Sequence, residues 1–124
     1  MEEWVRYLDA ARRFIRAAEA SINIAPEAVP ILVHRGIEHL VRALAYRFAP
    51  HEAASLTSHG RRRSWLTRSI SRGRIPYRLL TILDETDRIH KRGTYLLENG
   101  ELARRALELA HEALDIVEEL LGAR

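Results

Sequence analysis

The chain lacks several side chains that often carry chemistry. It has no cysteine, which excludes a disulfide framework, a thiolate zinc site and a cysteine nucleophile. It also has no glutamine, and its only asparagines are Asn23 and Asn99. A scarcity of heat-sensitive side chains fits a thermophile source. A GC-rich genome is the alternative explanation, because it favours the arginine that fills every basic position except Lys91.

Long apolar runs are missing too. No stretch approaches the roughly 18–20 apolar residues that a membrane-spanning helix requires. Residues 1–14 are amphipathic and carry acidic side chains, which is not the pattern of a signal or transit peptide. We therefore expect a cytoplasmic protein with no membrane partner. Its 124 residues are enough for one domain, residues 1–124, with its own core.

Apolar residues recur at intervals of three and four in four segments, which predicts four main amphipathic helices. The first runs from about Glu2 to Ser21. The second begins in the proline-containing segment 26–30 and ends near Pro50. The third begins at Pro76, and Asn99 is placed to cap the fourth.

Two shorter segments between the second and third helices each read as a short helix closed by glycine, at Gly60 and at Gly73. No segment alternates between apolar and polar residues with the period of a strand. The sequence therefore predicts an all-α protein, an up-and-down bundle of four main helices with short helical inserts.

Positive charge is concentrated in one part of the chain. The net charge is only +3, yet residues 53–83 contain no acidic residue. The seven cations of this acid-free stretch are Arg61, Arg62, Arg63, Arg68, Arg72, Arg74 and Arg78. Such a local excess favours an anionic partner. The alternative is that these arginines pair with acidic residues of other helices.

The segment 84–95, DETDRIHKRGTY, gathers further cations. If its helix continues through Tyr95, then Arg88, Arg92 and Tyr95 share a face with Glu85. Two guanidinium groups can grip a phosphodiester while the tyrosine ring stacks on a base. The remaining members of the predicted phosphate-binding set are Lys91 and Arg78.

A charged helix surface is the alternative interpretation of the same segment. Asp84 and Arg88, and likewise Asp87 and Lys91, are acid-first pairs four residues apart. Such pairs stabilise an exposed helix by only a few tenths of a kcal/mol each.

His34 and Glu38 are also four residues apart and could share a helix face as metal ligands. The motif HRGIEH around them does not have the spacing of a zinc protease motif, and no third ligand in a matching register is evident. A hydrogen-bonded pair on a packed helix face is favoured. We predict neither a metal nor a cofactor.

The order of elements resembles that of the HEPN domain family of small helical bundles. In the second helix, Glu38, Arg42, Ala43 and Leu44 match the family pattern, and Gly36 takes its small-residue position. The segment LDETDRIHKRGTY lies where the family carries its Arg-x4–6-His motif, and the alanine- and leucine-rich final helix is also similar. The resemblance implies a HEPN-like bundle that pairs as a homodimer.

In active members of that family, the arginine and histidine resemble a metal-independent ribonuclease pair. Here His90 follows Arg88 too early, and Tyr95 stands at the expected histidine position. The strict spacing occurs only between Arg105 and His111. Tyrosine, with a pKa near 10, is a poor base at neutral pH. Binding is therefore favoured over cleavage.

The resemblance implies a protein that binds RNA or a nucleotide, of the kind found as the toxin-type component of a toxin–antitoxin pair. One alternative is a catalytically inert interaction subunit of a minimal nucleotidyltransferase. Another is a weak metal-independent ribonuclease in which His90 or His111 is catalytic. Whether the chain is an enzyme stays open at this point.

Overall fold

Six α-helices account for most of the residues described by the computed structural model, which are residues 1–93 and 100–123. They are α1 (Glu3–Ser21), α2 (Val29–Phe48), α3 (Pro50–Ala53), α4 (His59–Ser71), α5 (Tyr77–Gly93) and α6 (Gly100–Leu121). A 3-10 turn, Pro26–Ala28, leads into α2. The described ranges contain no strand, which confirms the prediction of an all-α protein. No described helix combines the length and the apolar character that crossing a membrane requires.

The four helices predicted from periodicity are present as α1, α2, α5 and α6. Pro26 and Pro30 lie in the first turns of the 3-10 turn and of α2, where a missing N–H leaves no hydrogen bond unmade. The predicted cap of the last helix, Asn99, lies outside the described residues. The up-and-down, HEPN-like arrangement of these helices stays a prediction.

The interpretation of the middle of the chain was wrong at Gly60. This glycine does not end a helix but lies in the first turn of α4, which begins at His59. The helix begins before Gly60 because Ser58 caps it: the Ser58 hydroxyl oxygen accepts a hydrogen bond from the backbone N–H of Arg61. Gly73 does follow the end of α4, and its φ of 73° is one that glycine adopts without strain.

Helix α2 lies at the centre of the protein and packs against α1, α4, α5 and α6. Its approach to α1 is close at Gly36, where a Cβ atom would lie 3.3 Å from Ile15 Cγ1. One hydrophobic core is shared by all six helices. Its fully buried side chains include Leu8, Ile37, Leu66, Leu83 and Leu109. Because α2 is covered on several sides, a polar side chain on it has little access to water and needs a partner within the protein.

Candidate functional site

A group of polar side chains lies where α2, α4 and α5 meet. We call it the histidine cluster, and it consists of His34, Glu38, His59, Arg62, Asp87 and His90. Each helix supplies two members, three or four residues apart, because that spacing places side chains on one face of a helix. These polar side chains lie beside the hydrophobic core and not on an open surface.

Glu38 is the carboxylate at the centre of the cluster. Only 8% of its side chain is exposed, and it accepts hydrogen bonds from His59 Nδ1 and Arg62 Nε. Burial pushes the pKa of Glu38 upward, but the hydrogen bonds from His59 and Arg62 outweigh it, so the pKa lies below its ordinary value. The carboxylate is therefore ionised at neutral pH and bridges α2 to α4.

His34 lies between two carboxylates and stacks on a second imidazole. Its Nε2 atom is 3.7 Å from Glu38 Oε1, and its Nδ1 atom is 3.9 Å from Asp87 Oδ1. Its ring is parallel to that of His90, with an interplanar angle of 3° and centroids 4.8 Å apart. Burial lowers the pKa of His34, although Glu38 opposes the shift. The lowered pKa favours the neutral form of this partly buried imidazole.

Two ring nitrogens of the cluster have no hydrogen-bond partner among the described residues. They are Nδ1 of His34 and Nδ1 of His90, and both atoms are buried. A buried polar atom without a partner costs about 1–3 kcal/mol. Such atoms are rare in proteins, and each calls for an explanation such as an ordered water, an ion or a functional role.

Asp87 and His59 form the outer edge of the cluster. Asp87 Oδ2 lies 2.9 Å from Lys91 Nζ, as the spacing of the two residues predicts. Burial raises the pKa of Asp87, yet the hydrogen bond from Lys91 and the nearby imidazoles lower it below its ordinary value. About a third of the His59 side chain, 34%, is exposed. Solvent can therefore reach the cluster beside His59.

The structure separates His90 from the arginines that the sequence grouped with it. Successive helical residues are rotated by about 100°, so Arg88 lies about 160° around α5 from His90. His90 faces His34 in the interior, whereas Arg88 and Arg92 are exposed on the outer face of α5. No Arg88–His90 pair is formed. The third member of the predicted face, Tyr95, lies outside the described residues.

Two other predicted phosphate ligands have acidic partners. Lys91 pairs with Asp87, as noted above. Arg78 donates from Nε and Nη2 to the carboxylate of Glu112, at 2.5 and 2.8 Å. His111, the histidine of the alternative ribonuclease spacing, pairs with Glu19 at 2.9 Å on the α1–α6 side.

Internal ion pairs take up four of the seven arginines of the acid-free stretch, as the alternative interpretation predicts. Their acidic partners lie on α2, α3, α5 and α6. The pairs are Arg62–Glu38, Arg63–Asp84, Arg68–Glu52 and Arg78–Glu112. The Asp84 carboxylate accepts two hydrogen bonds of 2.8 Å from Arg63, which lower its pKa. Asp84 is therefore bound to Arg63 rather than to Arg88.

Sequence reasoning placed His34 and Glu38 on one helix face, but the hydrogen bond it favoured between them is not formed. Nε2 of His34 lies 3.7 Å from Oε1 of Glu38, because Glu38 is hydrogen-bonded to His59 and Arg62 instead. The neighbours on other helices were not identified. His59 and Asp87 lie on other helices, and their separation along the chain from His34 and Glu38 does not predict a contact. The local signals were the three-residue spacings of His59 and Arg62 on α4 and of Asp87 and His90 on α5, each of which places both residues toward the same side of the helix. Only the packing of α4 and α5 against α2 brings a ligand atom of His34, His59 and Asp87 within 4.8 Å of one another.

Comparison with known proteins adds no relative. The chain matches no protein-family model, no curated protein and no solved structure. The function of the site therefore has to be inferred from its own chemistry.

Proposed function

We propose that this chain binds RNA or a nucleotide through phosphate groups, with Arg88 and Arg92 as the principal ligands. The observation that carries the proposal is the state of these two side chains. Both are exposed, they lie one turn apart on the outer face of α5, and neither forms an ion pair within residues 1–93 and 100–123. Their charge is therefore available to an anion.

Arginine suits this role because its planar guanidinium can donate two parallel hydrogen bonds to one phosphate. Lys91 and Arg78 have acidic partners, so we expect them to contribute less to binding than Arg88 and Arg92. Tyr95 is proposed to supply the ring on which a base stacks. The site thus combines two phosphate contacts with one stacking surface.

The resemblance to the HEPN family also supports this proposal. It implies the toxin-type component of a toxin–antitoxin pair that acts on RNA. We propose binding rather than cleavage, because His90 faces His34 and not the arginines that would hold the phosphate. A base on the inner side of α5 is not placed to act on an RNA held on its outer side.

The test is a titration of a fluorescein-labelled single-stranded RNA, followed by anisotropy. We expect the Arg88→Ala/Arg92→Ala double variant to bind at least about tenfold more weakly, since each charge-assisted hydrogen bond contributes about 1.5–3 kcal/mol. The slope of log K against log salt should also become shallower by about 1.4, at 0.7 per lost phosphate contact. Unlabelled mononucleotide as competitor distinguishes a nucleotide ligand from a longer RNA.

The matched control is Arg13→Ala/Arg16→Ala. These two arginines are also exposed and neighbours on a helix, α1, so the control removes the same charge. We expect it to lower affinity much less than the α5 double variant. Equal affinities for the wild type and the α5 double variant would refute the proposed site.

A further inference from the structure

We propose that His34, His59 and Asp87 form a binding site for a divalent transition-metal ion, with Zn²⁺ as the representative. The three residues come from α2, α4 and α5, and one ligand atom of each lies within 4.8 Å of the other two. Two imidazole nitrogens and a carboxylate oxygen are donors that zinc accepts. This inference is independent of the proposed RNA binding, which uses the outer face of α5.

The three donor atoms need to move only a short distance toward one another to bind one ion. With metal–ligand bonds of about 2.0–2.2 Å, the donor atoms of a tetrahedral zinc site lie about 3.3–3.6 Å apart. Donors within 4.8 Å therefore need to approach by at most about 1.5 Å. His59 is partly exposed and is the first residue of α4, so a small shift of its ring that keeps the hydrogen bond to Glu38 can supply this movement without disturbing the core.

Glu38 orients His59 for such a role. Because an ionised carboxylate only accepts hydrogen bonds, the hydrogen bond between Glu38 Oε1 and His59 Nδ1 places the proton on Nδ1. The lone pair of His59 Nε2 is then available to a metal. A carboxylate bound to the far nitrogen of a ligating histidine recurs at zinc sites and raises the basicity of the ligand. Arg62 holds the other oxygen of Glu38 in place.

His34 supplies the second, independent observation. Its Nδ1 atom is buried and has no hydrogen-bond partner among the described residues, and Asp87 Oδ1 is 3.9 Å away. That distance is too long for a hydrogen bond, but a metal ion between the two atoms would bond to both. The parallel His90 ring fixes the plane of His34, and Lys91 holds the other oxygen of Asp87.

Three protein ligands leave one tetrahedral position for water or another small ligand. The exposed third of the His59 side chain gives a path for the ion. A metal bound here would join α2, α4 and α5, so it should also stabilise the fold.

The test uses protein made without a polyhistidine tag, stripped with a chelator and dialysed. Calorimetric titration with Zn²⁺ should show one ion bound per chain. Co²⁺ should give the intense visible absorption of a tetrahedral complex. His59→Ala and Asp87→Asn should each weaken binding of Zn²⁺ by more than about tenfold, since even loss of an outer partner such as Glu38 costs 10–100-fold. At a hundredfold excess over Kd, Zn²⁺ should raise the wild-type Tm by about 10 °C.

His111→Ala is the control, because His111 also pairs with a glutamate but lies on α6. It should bind Zn²⁺ like the wild type. Far-UV circular dichroism checks that His59→Ala is folded, and Asp87→Asn gives an independent reading if it is not. No zinc binding by the wild type would overturn the proposal. Equal affinity in the wild type, His59→Ala and Asp87→Asn would do the same, because the ion would then lie elsewhere.

Discussion

Glu38 is a buried acidic residue on α2, the helix that packs against several others. Burying a carboxylate without partners is costly, and the hydrogen bonds from His59 and Arg62 offset that cost for Glu38. Glu52 offers a contrast, because it pairs with Arg68 while both side chains remain more than two-fifths exposed. At the scale of single residues, burial rather than the type of pair decides what the interaction contributes.

We therefore expect Glu38→Ala to lower the free energy of unfolding by about 3 kcal/mol, because Arg62 loses its buried counter-charge and His59 loses its hydrogen-bond acceptor. Glu52→Ala should cost less than about 1 kcal/mol, as is usual for exposed pairs. Urea unfolding followed by circular dichroism measures both. A loss in Glu38→Ala no larger than that in Glu52→Ala would contradict the central role of Glu38.

At the scale of elements, α4 depends on polar contacts more than its neighbours do. Its buried residues are only Trp65, Leu66 and Ser69. Arg62 and Arg63, next to each other on α4, pair with α2 and α5 respectively. These ion pairs connect α4 to both helices beside His59.

The two glycines near the ends of α4 should respond in opposite directions to alanine. Gly60 is helical and nothing lies within 4 Å of an added Cβ, so Gly60→Ala should stabilise the protein by up to about 1 kcal/mol. Gly73 has a φ of 73°, so Gly73→Ala should destabilise it by about 1–2 kcal/mol. Thermal unfolding of the two variants provides the measurement. A lower Tm for Gly60→Ala would argue against the observed start of α4.

At the scale of the whole molecule, the positive charge of the acid-free stretch is largely internal. Four of its seven arginines pair with acids on other helices, so most of its positive charge is balanced within the chain. The exposed Arg88 and Arg92 remain as the pair best placed for an external anion.

A homodimer is the expected assembly. We predict it from the resemblance to the HEPN family, which implies a two-fold interface with two copies of the motif facing a shared cleft. Light scattering at tens of micromolar should therefore give a mass of about twice the 14.3 kDa of one chain. A mass near 14.3 kDa at that concentration would contradict the dimer.

Local pattern was enough to predict most of the helices. Apolar periodicity identified α1, α2, α5 and α6, because burying one face of a helix imposes a repeat near 3.6 residues. Pro76 and Gly73 marked the boundaries around the α4–α5 connection through their own backbone preferences. The predicted helix end at Gly60 was wrong because this glycine lies inside α4. Nothing lies within 4 Å of an added Cβ there, so the position does not require glycine.

The sequence alone determined the all-α class and the shared helix face of His34 and Glu38, since both depend on residues close together in the chain. Only the tertiary structure decided which arginines are neutralised, which way His90 faces, and that His59 and Asp87 join His34. These outcomes depend on the rotation and register of α4 and α5 against α2. Those quantities are set by the packing of distant apolar faces, and no spacing along the chain encodes them.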